Sequence, residues 1–278
     1  ESDPRTTKVT IKMTTKTPST DNRSLTDAEL LRYARQVLLT GWDIDAQLRL
    51  KSARIVMIGA GGLGCPASET LVRAGLGEVH LIDDDVIEMS NLQRQSLFLP
   101  SDIGAAKALT AAQMLKQINP LISAKGTVAR LTLDNAYELL ELAAGKPSLL
   151  LDCTDNFATR DIINRISVRY QIPLLSASAI AMQGQLALYE PQLKSGCYHC
   201  VFGDVSTDEV ADERTCANSG VLASTTAIIG NLQANAALHY LGLNTNPLTG
   251  KLLLWDGSRM QQRMMGYRQD TSCPVCAL

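Results

Sequence analysis

The sequence predicts an α/β domain whose sheet is mostly parallel and is extended by antiparallel strands. Three observations predict it. The apolar run at residues 55–58 leads straight into Gly59-Ala60-Gly61-Gly62-Leu63-Gly64, a strand, turn and helix start with GxGxxG spacing. A second apolar run, Ser148-Leu149-Leu150-Leu151-Asp152, reads as a strand buried on both faces, as strands of parallel sheets are. Beyond residue 172 the strand–helix alternation stops, and the stretches 184–190 and 250–256 read as antiparallel strands that complete the site from the side.

Size and composition bound the answer further. The 278 residues are 45% hydrophobic, enough to bury the core of one large domain, read here as residues 26–278. A net charge of −2 gives no basic surface for nucleic acid or an anionic membrane. Residues 1–25 are rich in Thr, Lys, Ser and Pro and read as a disordered lead-in. No stretch reaches the ~18 uninterrupted apolar residues of a membrane helix, and none forms a signal-peptide core, so a cytoplasmic protein is expected.

Taken in order, Thr26 and Glu29 have the spacing of a capping box and predict a helix start. That helix carries Arg32-Tyr33-Ala34-Arg35-Gln36, by composition alone a solvated face. Residues 42–53 read as a second helix with Leu48 and Leu50 toward the core. In the glycine motif, Gly59 permits the tight turn, Gly61 lets a phosphate approach the backbone, and Gly64 lets the helix press on the strand. The phosphate then meets the free N–H groups of the helix start. Asp83 closes the next strand 19 residues after Gly64, where an acid that bonds ribose hydroxyls is expected. A glycine turn without a ligand is the bland alternative.

The residues after Asp83 argue against a dinucleotide. Ser90-Asn91-Leu92-Gln93-Arg94-Gln95 and then Lys107 supply two cations and several amides, a set that suits a triphosphate. Residues 102–119 show the helical stripe 111, 114, 115, 118 and stop at Asn119-Pro120. Lys107, near its start, would by itself be a solvated surface lysine. Residues 124–130 read as a strand and 134–144 as a helix. Cys153-Thr154-Asp155-Asn156 then falls at the carboxyl end of the 148–152 strand, so Asp155 faces the same crevice as the glycine loop. A helix over 157–170 leads to a strand at 172–178, and 184–190 alternates as a half-buried strand.

Seven cysteines in such a chain do not suggest a disulfide framework. Cys197-Tyr198-His199-Cys200 and Cys273-Pro274-Val275-Cys276 are two CxxC knuckles, the ligand set of a structural Zn²⁺ that ties the tail to the body. A redox pair or reduced bystanders are the alternatives. Cys65 and Cys153 read as small buried apolar residues. Cys216 lies in a polar, charged segment with Arg214 nearby and reads as a loop thiol.

Gly59-Ala60-Gly61-Gly62-Leu63-Gly64, Asp83, the run at 90–95 and Cys153-Thr154-Asp155-Asn156 together closely resemble the E1-like adenylating enzymes of the HesA/MoeB/ThiF family. The resemblance runs from about residue 25 to the C-terminus. It implies a Rossmann-like adenylation domain that uses ATP and Mg²⁺ to activate a ubiquitin-like sulfur carrier ending in Gly-Gly, of the ThiS or MoaD type. It further implies that Gly59, Gly61, Gly62, Gly64, Asp83, Ser90, Asn91, Leu92, Gln93, Arg94, Lys107, Asp155 and Asn156 form the nucleotide site. Asp155 would hold Mg²⁺, and Arg94 and Lys107 would balance the triphosphate. Arg35 would reach the site of the other subunit of a homodimer, and Cys216 would form a covalent link to the carrier. A sulfurtransferase or cysteine desulfurase would then deliver sulfur for thiamine or molybdopterin biosynthesis. Asp256-Gly257 and Ala158-Thr159-Arg160 lean toward the thiamine type.

No Ser-His-Asp set, HExxH or Walker A run is present, which fits an adenylation in which the substrate's own carboxylate is the nucleophile. Two other classes compete: a nicotinamide-dependent oxidoreductase sharing the glycine turn, and a catalytically silent scaffold that binds nucleotide or carrier.

Overall fold

The computed structural model describes residues 24–203 and 220–277. The lead-in up to residue 23 and the segment holding Arg214 and Cys216 lie outside the described residues. Eight strands form one sheet in the order β3-β2-β1-β4-β5-β6-β7-β8. These are β1 (Arg54–Ile58), β2 (Glu78–Ile82), β3 (Ser123–Thr127), β4 (Leu149–Asp152), β5 (Leu174–Ile180), β6 (Gln183–Tyr189), β7 (Lys251–Asp256) and β8 (Gln261–Gly266). All pairings among β1 to β5 are parallel. The pairings β5–β6, β6–β7 and β7–β8 are antiparallel, as the pattern beyond residue 172 predicts.

Among the described residues the helices are α1 (Asp27–Val37), α2 (Ile44–Ser52), α3 (Gly64–Ala74), α4 (Lys107–Ile118), α5 (Ala136–Leu139), α6 (Phe157–Tyr170), α7 (Tyr198–Phe202) and α8 (Ala223–Leu243). The side-chain alternation of the strands divides the core in two. Ile55, Met57, Leu149 and Leu151 pack with residues of α2, α3, α4 and α8 on one face. Val56, Ile58, Leu150 and Leu174 pack with α5, α6 and α7 on the other. With both faces covered, β1 and β4 need the unbroken apolar runs that the sequence shows.

Thr26 and Glu29 make the expected capping box: Glu29 N–H donates to Thr26 Oγ1 (3.3 Å) and Thr26 N–H to Glu29 Oε2 (2.7 Å). Leu50 is fully buried while Leu48 is only partly so.

Several element bounds differ from the sequence reading, each for a local reason. The helix expected from 102 begins at Lys107, because Gly104 takes a positive φ of 89° and residues 104–107 bond to the 85–87 strand-like segment instead. The strand expected over 124–130 stops at Thr127. The helix expected over 134–144 breaks at Glu141, which is left-handed (φ 53°), and continues only as a 3-10 turn. The half-buried strand at 184–190 is fully buried from Leu186 to Tyr189, since Leu186 and Leu188 face one core and Ala187 and Tyr189 the other.

The largest departure is α8, a 21-residue helix that the sequence reading did not anticipate. It packs on α3 and the sheet, and Gly230 lets it approach so closely that a Cβ there would lie 2.7 Å from the Leu63 carbonyl.

Candidate nucleotide and acyl-transfer site

β1 has β2 on one side and β4 on the other, so the chain leaves the sheet in opposite directions beside it. The carboxyl ends of adjacent parallel strands then open a crevice, and a cleft of about 660 Å³ lies there. Two glycines make its floor possible. Gly59 has φ 96°, and a Cβ there would sit 2.7 Å from the Cys153 carbonyl at the end of β4. At Gly64 the same atom would lie 2.2 Å from the Gly59 carbonyl, so α3 could not start this close to β1. Gly61 has only Gln95 Nε2 near its missing Cβ, at 3.5 Å, and leaves the backbone open to the cleft; Gly62 lines it beside Arg94.

Asp83 ties the loop to β2: its Oδ2 accepts from Ala60 N–H (2.6 Å) and its Oδ1 from Asp85 N–H (2.8 Å). Burial pushes its carboxyl above the usual range, and the Ala60 hydrogen bond pulls it back. The run after β2 forms a 3-10 turn, Met89–Asn91. Asn91 is buried and accepts from Glu88 N–H (3.1 Å), and Arg94 Nη1 donates to the Ser90 carbonyl (3.1 Å). Ser90, Asn91 and Arg94 all line the cleft.

Lys107 also lines it, but as a buried residue and not a surface lysine. Its Nζ pairs with Asp85 Oδ2 at 2.8 Å.

Asp155 and Asn156 follow β4 and face the same cleft. Asn156 doubles as the N-cap of α6, accepting from Thr159 N–H (2.9 Å). The strand end beneath them is held by Asp152, whose carboxylate takes hydrogen bonds from Thr154 N–H (3.0 Å), Thr154 Oγ1 (2.6 Å) and Ser176 Oγ (2.6 Å).

Three residues of the expected set do not line the cleft: Gly64 is buried beneath the glycine loop, Leu92 packs against the core and Gln93 is exposed. Arg35 is exposed on α1 and does not line the cleft of its own chain. Cys65 and Cys153 are buried, as expected. Burial pushes the Cys65 thiol up to about 12, and Cys153 Sγ donates to Gln233 Oε1 (3.2 Å), so both are packing groups.

The structure adds cleft residues beyond the expected nucleotide-site set. Gln95, 3% exposed, lines the cleft with its Oε1 unpartnered inside the protein. Asp85, Arg130 on the segment after β3, and Thr226 on α8 also line it. Gln95 stood inside the 90–95 run, whereas Arg130 and Thr226 belong to no local motif.

A second cavity, about 350 Å³, adjoins the first and shares Asp155 and Ala179 with it. Phe157, Ile180, Leu254 and Trp255 give it apolar walls, and Arg263 and Asp256 stand at its polar side.

The four cysteines of the two knuckles converge, all within 4.8 Å of one another. Cys197 Sγ lies 3.9 Å from Cys200 Sγ and 3.8 Å from Cys273 Sγ, and Cys200 Sγ lies 3.4 Å from Cys276 Sγ. Four sulfurs at tetrahedral Zn–S distance would be roughly 3.8 Å apart, so the set fits zinc. Among the described residues no helix is long and apolar enough to cross a membrane.

A model of the ThiF family matches residues 33–275. The sulfur carrier protein ThiS adenylyltransferase of Escherichia coli K12 is 39% identical over 252 residues, covering 91% of this chain and 97% of its own. The molybdopterin-synthase adenylyltransferase of the same strain is 39% identical over 255 residues, covering 91% and 98%. A sulfur carrier protein adenylyltransferase of Thermus thermophilus is 38% identical over 256 residues, covering 90% and 92%. Among solved structures, E. coli MccB with ATP superposes with a TM-score of 0.71 at 25% identity, over 84% of this chain and 69% of that one.

Proposed function

The chain belongs to the ThiF family, and on that premise we propose that it is an ATP-dependent adenylyltransferase acting on a small ubiquitin-like sulfur carrier protein. The reaction joins the carrier's C-terminal glycine carboxylate to the α-phosphorus of ATP. A carboxylate oxygen bonds to that phosphorus, the bond to the bridging oxygen of pyrophosphate breaks, and acyl-adenylate and pyrophosphate result.

One observation carries this reading: Asp155 stands where a polar, cation-bearing cleft meets a smaller one with apolar walls on one side. The first suits a triphosphate and the second a thin, side-chain-free Gly-Gly tail, so the two reactants would meet beside a single carboxylate. The protein's task is alignment and charge neutralisation. The glycine loop and the start of α3 would receive phosphate on backbone N–H groups. Arg94 and Lys107 would balance the phosphate charge, Ser90, Asn91 and Asn156 would offer polar contacts, and Asp83 would bond the ribose.

Asp155 would hold Mg²⁺, for which the oxygen donors of the cleft are the right chemistry. Bound there, Mg²⁺ supplies charge neutralisation at the reacting phosphate. Cys197, Cys200, Cys273 and Cys276 would hold zinc and keep the tail docked.

The enzyme is a cytoplasmic homodimer in this reading, residues 26–278 forming one adenylation unit. Arg35, exposed on α1, completes the partner's site as an arginine finger does. Cys216 links covalently to the carrier as its thiol attacks the acyl-adenylate carbonyl, giving up its proton while the bond to AMP breaks and AMP leaves, and a sulfurtransferase or cysteine desulfurase supplies the sulfur. An oxidoreductase would have no use for Arg94 and Lys107 in the cleft, and a silent scaffold no reason to keep both together with Asp155.

Equal identity to the two E. coli enzymes makes the choice of carrier an experimental matter. Exchange of labelled pyrophosphate into ATP should require Mg²⁺ and a carrier with a free Gly-Gly terminus, with ThiS-type and MoaD-type carriers run in parallel. Absence of exchange with both would sink the proposal.

A further inference from the structure

A buried ion pair, Asp152 with Arg160, lies at the base of the Asp155 turn. Arg160, one turn into α6, is 4% exposed, and its Nη1 lies 3.7 Å from Oδ2 of Asp152, which is 1% exposed. Two fully desolvated charges at the base of a site are costly unless each is met by hydrogen bonds. Here each is met by the same peptide neighbour. Asp152 accepts from the N–H and hydroxyl of Thr154, and Arg160 Nη2 donates to the Thr154 carbonyl. Thr154 is thereby clamped at both of its backbone polar groups, and Asp155 is the next residue.

The helix that carries Arg160 is itself pinned one turn further on. Asn164, buried, accepts from Tyr198 N–H (3.1 Å) and donates to Cys197 Sγ (3.5 Å). Burial pushes the Tyr198 phenol up to about 12, and the neighbouring Arg160 guanidinium pulls it back. α6 is therefore anchored to the first cysteine knuckle at one turn and to the Asp155 turn at another.

We propose that Arg160 is a positioning residue: together with Asp152 it locks the Thr154 peptide and so aims the Asp155 carboxylate into the cleft. The inference rests on the reading of Asp155 as the Mg²⁺ holder. A planar guanidinium can face the Asp152 carboxylate and the Thr154 carbonyl at once, whereas a lysine ammonium keeps the charge but loses that fork. Arg160→Lys should therefore leave the fold intact and loosen the aim. An outer-shell partner of this kind typically governs metal affinity by 10- to 100-fold.

The test uses the full chain and four proteins: wild type, Arg160→Lys, Asp155→Ala and the double variant. Mg²⁺ is titrated in carrier-dependent pyrophosphate exchange, and Mn²⁺ binding in the presence of a non-hydrolysable ATP analogue is followed by electron paramagnetic resonance. Arg160→Lys should raise the half-saturating Mg²⁺ and the Mn²⁺ dissociation constant about tenfold. The KM for ATP at saturating Mg²⁺ and the thermal midpoint should stay at wild-type values. Since Arg160 acts through Asp155, the double variant should be no worse than Asp155→Ala alone. An unchanged metal requirement in Arg160→Lys, or an added loss in the double variant, would overturn the proposal. Should Arg160→Lys not fold, Arg160→Met combined with Asp152→Asn removes both charges together, keeps an acceptor for Thr154 N–H, and should show the same tenfold shift; a wild-type metal requirement there overturns the proposal too. Wild-type exchange by Asp155→Ala would instead remove the assignment of Asp155 on which the inference stands.

Discussion

The nucleotide cleft and the four-cysteine cluster meet the same helix, α6, yet they are held in opposite ways. Most cleft residues arrive in short runs at the ends of β1, β2 and β4, and backbone hydrogen bonds of the sheet fix them before any ligand enters. The cluster joins residues 76 apart, Cys197 to Cys273 and Cys200 to Cys276, and hydrophobic support around it is slight: among the described residues, Val275 is the one buried hydrophobic residue clustered with Cys197 and Cys273. The cleft is thus preorganised by the fold, whereas the cluster draws its closure from whatever its sulfurs bind. Activity and stability should separate along that line.

Asp155→Ala is the strongest test of the separation. If Asp155 holds Mg²⁺ as proposed, its loss should slow pyrophosphate exchange about a thousandfold, some 4 kcal/mol of transition-state stabilisation, with the thermal midpoint unchanged. A stability loss of similar size would show that the cleft is not preorganised. Cys276→Ser should do the reverse, lowering stability by about 3 kcal/mol in denaturant titration while equilibrium binding of ATP persists. If ATP binding fell in step with zinc content, the two regions would be one.

Gly64→Ala probes the cleft's floor. The Cβ would meet the Gly59 carbonyl at 2.2 Å, so the expected cost is about 2 kcal/mol of stability together with weaker ATP binding. Asn164→Leu sharpens the other side. It removes the donor to Cys197 Sγ, and competition with a chromophoric chelator should show zinc held about tenfold more weakly, roughly 1.4 kcal/mol.

His80, in β2 and apart from both regions, gives the smallest effect and a reference for the sheet itself. Burial, and then the charge of Lys125, pushes its imidazole down to about 4. In the unfolded chain it takes a proton near the ordinary value, so between the two values the unfolded state binds more protons. Stability should then fall as pH falls, by about 1 kcal/mol from pH 7 to about pH 5.7. His80→Gln should flatten that limb in urea titrations at a series of pH values, equally with zinc present or chelated.

The sequence by itself determined the parts whose chemistry is contiguous. The glycine turn with Asp83, the run at 90–95, Asp155 at a strand end and the two knuckles could each be placed because a short segment carries both its conformation and its polar groups. A strand buried on both faces also declares itself, as an apolar run too short for a helix. Periodicity, however, reports burial on one side only. Ala223–Leu243, small and apolar with no polar face, therefore left no helical stripe, although it is the longest helix among the described residues.

The burial of Lys107 against Asp85, the unpartnered Oε1 of Gln95, the entry of Arg130 and Thr226 into the cleft, and the Asp152–Arg160 clamp were decided by tertiary structure alone. Whether a charged side chain is solvated or desolvated depends on what the rest of the chain lays over it. Local sequence carries no record of that, because the covering groups arrive from strands and helices whose proximity is set by the order of the sheet.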